Sequence, residues 1–308
     1  MRKIIVGSRK SELALTQTHW VIKQLQLLNL AYEFEVKEIM TTGDKILDVT
    51  LSKVGGKGLF VKEIEQALID GEIDFAVHSL KDMPYEMPEG LTLAAIPKRE
   101  DPRDCIVSLK GYNIDTLPSG AIVGTSSLRR MAQILSYRND LQIKSIRGNL
   151  NTRLRKLLEG DYDAILLATA GIKRLGWEDK ITGYIDTSIC IPAVGQGALG
   201  IQARINDKEI SDLLDKIDDI STRTLISAER ALLYRLEGGC QIPIGAYAEW
   251  VDDQISLVGI VGSIDGKILI KQQGVAAKEN AVELGIKVAN DLIINGADKI
   301  LAEVRGEL

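Results

Sequence analysis

The sequence predicts an α/β protein with a smaller α+β unit at its C-terminal end, and three observations carry that prediction. Short apolar runs at residues 3–7, 73–77 and 91–96 each lead into a cluster of polar or charged residues, as strands do when they deliver functional groups to the edge of a sheet. Between residues 105 and 168, apolar runs alternate with helical patterns, which is the mark of strands joined by helical crossovers in a parallel sheet. From residue 244 onward, runs at 246–251, 255–261 and 267–273 alternate like an antiparallel sheet, and helical patterns follow at 280–294 and 297–304.

At 308 residues the chain exceeds the usual size of one hydrophobic core, so two or three domains are expected. The apolar content of 45% is that of an ordinary globular protein, and no run approaches the ~20 apolar residues of a membrane span. The opening Met1-Arg-Lys-Ile-Ile-Val-Gly7 holds an apolar run too short for a signal peptide and reads as a first strand. Three cysteines (Cys105, Cys190, Cys240) and two histidines (His19, His78) offer neither a disulfide framework nor metal-ligand spacing. No metal is therefore expected, and a reducing, cytoplasmic setting is. The net charge of −5 argues against a general nucleic-acid binder. Between residues 121 and 158, however, eight basic residues (Arg129, Arg130, Arg138, Lys144, Arg147, Arg153, Arg155, Lys156) face the single acid Asp140. That local excess points to a small polyanionic ligand.

Taken in order, the strand at 3–7 feeds a helical pattern over 11–28 through Gly7-Ser8-Arg9-Lys10-Ser11, where the unpaired amides of a helix start favour an anion. Ser11 reads as the helix cap. Arg9 has no such duty, which leaves its guanidinium to meet a carboxylate. A strand at 32–40 ends in Thr41-Thr42-Gly43-Asp44. The loop 46–58, with Lys53-Val-Gly-Gly-Lys57-Gly58, lacks nucleotide P-loop spacing and reads as a lid over an anionic site. A helix at 60–69 and the strand at 73–77 then deliver His78-Ser79-Leu80-Lys81-Asp82-Met83-Pro84. The neighbouring cation favours an ionised Asp82, although an exposed Lys–Asp turn explains the same composition. His78 reads as a satisfied turn residue.

Residues 97–103 read as a hinge between domains. Beyond it, strands at 105–109, 121–123, 142–146 and 164–168 alternate with helices at 127–137 and 151–159. Gly124-Thr-Ser-Ser127-Leu-Arg129-Arg130 and Arg147-Gly148-Asn149 again put hydroxyls and arginines at strand-to-helix junctions, with Arg153 on the first turn of the second helix. Each arginine can grip a carboxylate with two hydrogen bonds. Cys105 and Cys190 fall in apolar strands and read as core. Gly195-Gln-Gly-Ala-Leu-Gly200 matches the dinucleotide fingerprint letter by letter, yet a strand-like run at 198–203 follows the glycines where a helix is needed. It reads as a crossing between domains. After a short helix at 207–217, a helix at 222–236 runs into Gly238-Gly239-Cys240-Gln241-Ile242-Pro243. Its glycines permit left-handed backbone and Pro243 stiffens the exit, so Cys240 is expected at the tip of a rigid turn.

Six runs together resemble the porphobilinogen deaminase (hydroxymethylbilane synthase) family: Gly7-Ser-Arg-Lys-Ser-Glu-Leu-Ala14, His78-Ser-Leu-Lys-Asp-Met-Pro84, Gly124-Thr-Ser-Ser-Leu-Arg-Arg130, Arg147-Gly-Asn-Leu-Asn-Thr-Arg153, Val194-Gly-Gln-Gly-Ala-Leu-Gly200 and Gly239-Cys-Gln-Ile-Pro-Ile-Gly245. The resemblance implies two periplasmic-binding-protein-like lobes and a third domain. Domain 1 would be residues 1–97 with 195–217 returning to it, domain 2 residues 98–194, and domain 3 residues 218–308, which carry the cofactor cysteine. It also implies a transferase that joins four porphobilinogen units head to tail on a covalent dipyrromethane primer. One ammonia is lost per unit, and hydrolysis then releases hydroxymethylbilane for tetrapyrrole (porphyrin, haem) biosynthesis.

By the same resemblance, Cys240 holds the dipyrromethane through a thioether. Lys81, Ser127, Arg129 and Arg130 meet its carboxylates, and Arg9, Ser11, Arg147, Arg153 and Arg174 meet the incoming substrate. Asp82 steadies the azafulvenium cation left by ammonia. The family implies a monomer with no nucleic-acid or membrane partner. A two-lobed binding protein for a small polyanion would share the fold and the arginines, but would have no use for Cys240 or Asp82.

Overall fold

Each of three sheets has a core of its own, and the chain enters the first of them twice. The structure, a computed structural model, describes residues 2–45, 61–238 and 242–306. It divides into one unit of residues 1–100 and 198–223 and a second of residues 101–197 and 224–308.

In the first unit, β1 (Arg2–Arg9) pairs in parallel with β2 (Tyr32–Ile39) and β3 (Phe75–Ser79). Beside β3 lies β10 (Leu199–Arg204), antiparallel to it and to β4 (Leu91–Ala95). The sheet order is therefore β2-β1-β3-β10-β4. Alternation along β3 sorts its side chains by face. Phe75 and Val77 join Ile4, Val6, Ile201 and residues Val21 and Leu25 of the helix Glu12–Gln26 in one core. Ala76 joins Ile64 and Leu68 of the helix Lys62–Ile69 on the other side.

In the second unit, β5 (Asp104–Val107), β6 (Ile122–Gly124), β7 (Gln142–Lys144), β8 (Ala164–Ala168) and β9 (Gly183–Ile185) form a sheet ordered β7-β6-β8-β5-β9. It is mixed, where the alternation of strands and helices predicts a parallel one. β6 runs parallel to β7 and β8, but β5 runs antiparallel to β8 and β9. Helical crossovers set a strand's direction only where they connect it, and β5 is entered directly from residues 97–103, as β10 is from 195–198. The sequence reading also misses β9 and the short helix Thr169–Arg174. Cys190 lies outside any strand, in a bend, though it is fully buried as expected.

The same unit carries the antiparallel sheet β11-β12-β13, formed by Ile244–Val251, Gln254–Gly262 and Leu269–Ala277. Its core is shared with the helices Ile220–Arg235, Ala281–Ile294 and Ala297–Arg305. Gly195 and Gly197 have φ of 70° and 89°, left-handed conformations that suit glycine, and the chain enters β10 directly after them. The crossing reading of this segment stands, and the dinucleotide reading falls with it. The carboxylate of Glu229, 0% exposed, accepts hydrogen bonds from Gly195 N at 2.8 Å and Ala248 N at 2.9 Å. The helix end after Arg235 differs from expectation. Glu237, at φ 51°, takes the left-handed position, while a Cβ at Gly238 would meet only the side chains of Leu233 and Ile244. Gly239, Cys240 and Gln241 lie outside the described residues, as does the expected lid loop at 46–58. No helix among the described residues is long and apolar enough to cross a membrane, and no acid, histidine or cysteine cluster there could hold a metal.

Two predictions arise from this packing. A Cβ on Gly285 would meet Ala228 O, Ala231 Cβ at 2.7 Å and Leu232 N at 2.9 Å, so Gly285→Ala must push two helices apart. We expect a loss of about 1–3 kcal/mol, read by urea unfolding as a lower midpoint at unchanged slope. His78 is 5% exposed, and burial pushes its imidazole down to about 4, with the neighbouring Gln202 side chain opposing the shift. The unfolded imidazole takes up a proton near pH 6.5 and the folded one only near 4, so the unfolded state binds more protons in between. Stability therefore falls as pH drops through that window, by on the order of 3 kcal/mol. His78→Asn should flatten that part of the stability–pH curve. An unchanged slope between pH 6.5 and 4 in the variant counts against the assignment.

Candidate functional site

Two polar constellations stand out, one in each unit. The first is an open recess of about 70 Å³ at the end of β3 and the start of the helix Glu12–Gln26, lined by Arg9, Ser11, Gln17, His78, Ser79 and Asp82 among others. Strand ends and helix starts converge here because β1 feeds directly into that helix, while β3 continues into the 3₁₀ turn Leu80–Asp82. Ser11 caps the helix as expected, accepting from Ala14 N at 3.3 Å. Gln17 and Ser79 hold one another through Gln17 Nε2 to Ser79 Oγ at 2.9 Å. The half-buried carboxylate of Asp82 takes up no hydrogen bond or ion pair among the described residues. Lys81 is half-buried beside it.

Arg9 departs from its sequence reading. Far from having no structural duty, it forms an ion pair with Asp44, with Arg9 Nε donating to Oδ1 at 3.2 Å. Thr41 Oγ1 donates to the same carboxylate at 2.7 Å. Burial pushes the Asp44 carboxyl up, but the hydrogen bonds from Arg9 and Thr41 outweigh it and hold the group below its ordinary range. Thr41 and the short helix Thr42–Lys45 that follows β2 thus orient a guanidinium at the recess.

The second constellation surrounds Asp104, the first residue of β5. Its carboxylate is 0% exposed. It accepts from Arg129 Nη1 at 2.7 Å, from Arg130 Nε at 3.0 Å and Nη2 at 2.8 Å, from Gln196 Nε2 at 2.9 Å and from the Cys190 thiol at 3.3 Å. Backbone carbonyls hold the guanidiniums as well: Arg129 Nη1 donates to Ile191 O at 2.7 Å and Arg130 Nη1 to Leu166 O at 2.9 Å. Burial would raise the Asp104 carboxyl, but the charges of Arg129 and Arg130 dominate and hold it far below the carboxylate range. Both arginines sit on the first turn of the helix Leu128–Tyr137, whose cap is Ser127, accepting from Arg130 N at 3.4 Å. They are 4% and 5% exposed. Two cations and one anion leave the cluster a net charge of +1, and that suits it to a group that brings carboxylates.

Of the remaining arginines, Arg147 and Arg153 lie at the strand-to-helix junction where the sequence places them, and Arg174 ends the helix Thr169–Arg174. Arg147 is half-buried after β7. Arg153, on the helix Leu150–Leu158 capped by Asn149, donates from Nε to Gly148 O at 2.9 Å, and Arg174 donates from Nη2 to Gly197 O at 2.7 Å. Cys240 lies outside the described residues. Sequence reasoning misses Gln17, Asp44, Asp104, Gln133 and Gln196. Two had a legible signal: Gln17 interrupts the apolar stripe Leu13–Val21 of its helix, and Asp104 heads an otherwise apolar strand. Gln133, which bridges Arg129 O and Ile191, gave none.

Residues 4–212 match the family described as porphobilinogen deaminase, dipyromethane cofactor binding domain, and residues 224–293 match porphobilinogen deaminase, C-terminal domain. The porphobilinogen deaminase of Bacillus cereus (strain B4264) is 58% identical over 309 residues, covering 100% of this chain and 99% of that protein. That of Shouchella clausii (strain KSM-K16) is 59% identical over 312 residues, with 100% and 99% covered. Similarity extends to a solved structure of a nutrient binding protein from Burkholderia cenocepacia bound to methionine, at 14% identity and a TM-score of 0.43, covering 70% of this chain and 90% of that one. It extends also to the probable amino-acid ABC transporter extracellular-binding protein ytmK from Bacillus subtilis, at 16% identity and a TM-score of 0.39, again covering 70% and 90%. Matched over its whole length by proteins that share more than half of its residues, the chain belongs to the porphobilinogen deaminase family.

Proposed function

We propose that the chain joins four porphobilinogen units head to tail on a dipyrromethane carried by Cys240, releasing ammonia at each addition and hydroxymethylbilane at the end. The observation that carries this reading is the match of residues 4–212 to the dipyromethane cofactor binding domain, a span that contains both polar constellations. The dipyrromethane, when bound, supplies the primer to which substrate is joined. Lys81, Ser127, Arg129 and Arg130 hold its carboxylates, and the net positive charge around Asp104 supports that role. Arg9, Ser11, Arg147, Arg153 and Arg174 hold the acetate and propionate of porphobilinogen, since guanidiniums oriented by neighbouring acceptors give up little freedom when they meet a carboxylate.

Asp82 is the catalytic residue in this reading. Its carboxylate stabilises the positive charge that develops on the porphobilinogen ring as ammonia departs. It also accepts the proton displaced when the new carbon–carbon bond forms. The lack of any hydrogen-bond donor to Asp82 among the described residues supports both tasks. A carboxylate already saturated by protein donors would have little left to offer a ring.

Attachment at Cys240 is supported by the state of the other two cysteines. Cys105 and Cys190 are fully buried, and burial pushes both thiols up to about 12. A thiol held there supplies almost no thiolate near neutral pH, and the thiolate is the nucleophile. Two unpaired buried thiols also suit a reducing, cytoplasmic setting, and we take the working form to be a monomer.

Asp82→Asn should fold and keep its pigment but turn over at least about a hundredfold more slowly, the scale of losing one electrostatic contact to a developing charge. Near-normal steady-state turnover would remove Asp82 from the chemistry. For the anchor, the check is the mass of the denatured chain. The wild-type protein should carry the added mass of a dipyrrole and Cys240→Ala should not; a dipyrrole still bound to the variant would move the attachment elsewhere.

A further inference from the structure

We infer that Asp104 is a positioning residue for carboxylate capture, holding Arg129 and Arg130 in one arrangement whose net charge is that of a seat for a single carboxylate. The inference rests on the reading that these arginines hold the dipyrromethane. Folding alone does not explain the cluster. A buried carboxylate needs one guanidinium to neutralise it, and here it has two, both nearly out of solvent. Among the described residues no other carboxylate pairs with either arginine. A second buried cation without an anion of its own is costly, and an incoming carboxylate removes that cost.

The geometry separates the two guanidiniums by task. Nη1 of Arg129 spends its two protons on Asp104 Oδ2 and Ile191 O, at 2.7 Å each, which leaves its Nε and Nη2 edge for a ligand. Arg130 gives both Nε and Nη2 to Asp104 Oδ1 and turns Nη1 to Leu166 O. It therefore acts chiefly as a charge and a brace. Asp104 Oδ1 also accepts from Gln196 Nε2, whose amide donates to Pro102 O at 2.7 Å as well. The carboxylate is gripped from three segments of chain, the first turn of the helix Leu128–Tyr137, Cys190 and Gln196, so neither guanidinium can swing without breaking several charge-assisted bonds. Releasing the pair should lower occupancy at least tenfold.

The test uses the purified full chain and two readouts, thermal melting for the fold and intact denatured mass for the fraction of folded chains that carry a dipyrrole. Asp104→Asn should leave soluble, cooperatively melting protein in which that fraction drops at least tenfold. A purely structural role would lower the melting temperature and yield while leaving every folded chain loaded, and that result overturns the inference. If Asp104→Asn does not fold, Asp104→Glu decides, since it keeps the charge and displaces it by one methylene. We expect occupancy at least threefold below wild type; full loading in a folded Asp104→Glu protein overturns the inference. A wild-type chain lacking the dipyrrole would instead defeat the underlying functional reading, so the two failures are distinguishable.

Discussion

One buried carboxylate gathers much of the second unit. Asp104 draws the start of β5, the first turn of the helix Leu128–Tyr137, the bend at Cys190 and the turn at Gln196 onto a single point. None of these contacts is local: Asp104 and Arg129 are separated by 25 residues, and Asp104 and Gln196 by 92. In a low-dielectric interior an ion cluster of this kind is intolerant of partial assembly, because each group left unpaired carries its full desolvation penalty. The cluster therefore does more to define where these segments sit than to add net stability. Apolar groups of similar volume could have filled the space at least as stably, but they would have left nothing for an anion.

Glu229 repeats the device on the other side of the glycine crossing. Its two carboxylate oxygens take up the amides of Gly195 and Ala248, tying the helix Ile220–Arg235 to both the crossing and β11. Gly195 and Gly197 supply the left-handed conformations that let the chain turn there, and buried carboxylates secure two adjacent residues of the turn itself, Gly195 and Gln196. The crossing is flexible in composition and restrained in fact. The glycines allow the turn, and two acids from distant parts of the chain define it.

Much of this was legible in the sequence. The strand-to-helix junctions were readable because apolar period and capping chemistry change together there, as Ser11, Ser127 and Asn149 show by capping their helices. The antiparallel C-terminal sheet was readable from strict alternation. The directions of β5 and β10 were not, since a strand's polarity within a sheet depends on where its neighbours come from, and both strands are reached by crossings with no helix. Nor were the partners of the aspartates. Asp44 looks like an ordinary loop acid and Asp104 stands out only by heading an apolar strand, and long-range pairing alone makes them the partners of Arg9, Arg129 and Arg130. Glu237 was missed for a different reason: in the left-handed region the reader looks to glycine, and here the residue before Gly238 takes that conformation.

Counting arginines consequently overstates the positive charge available to a ligand. The segment 121–158 carries eight basic residues against one acid, yet its two best-buried arginines share Asp104, and Arg138 pairs with Asp140. Arg9, in the first unit, is matched by Asp44. What these constellations offer an anion is oriented donors and a small net charge. Donors fixed in this way lose little freedom on meeting a carboxylate, so a modest net charge does not by itself mean a weak grip.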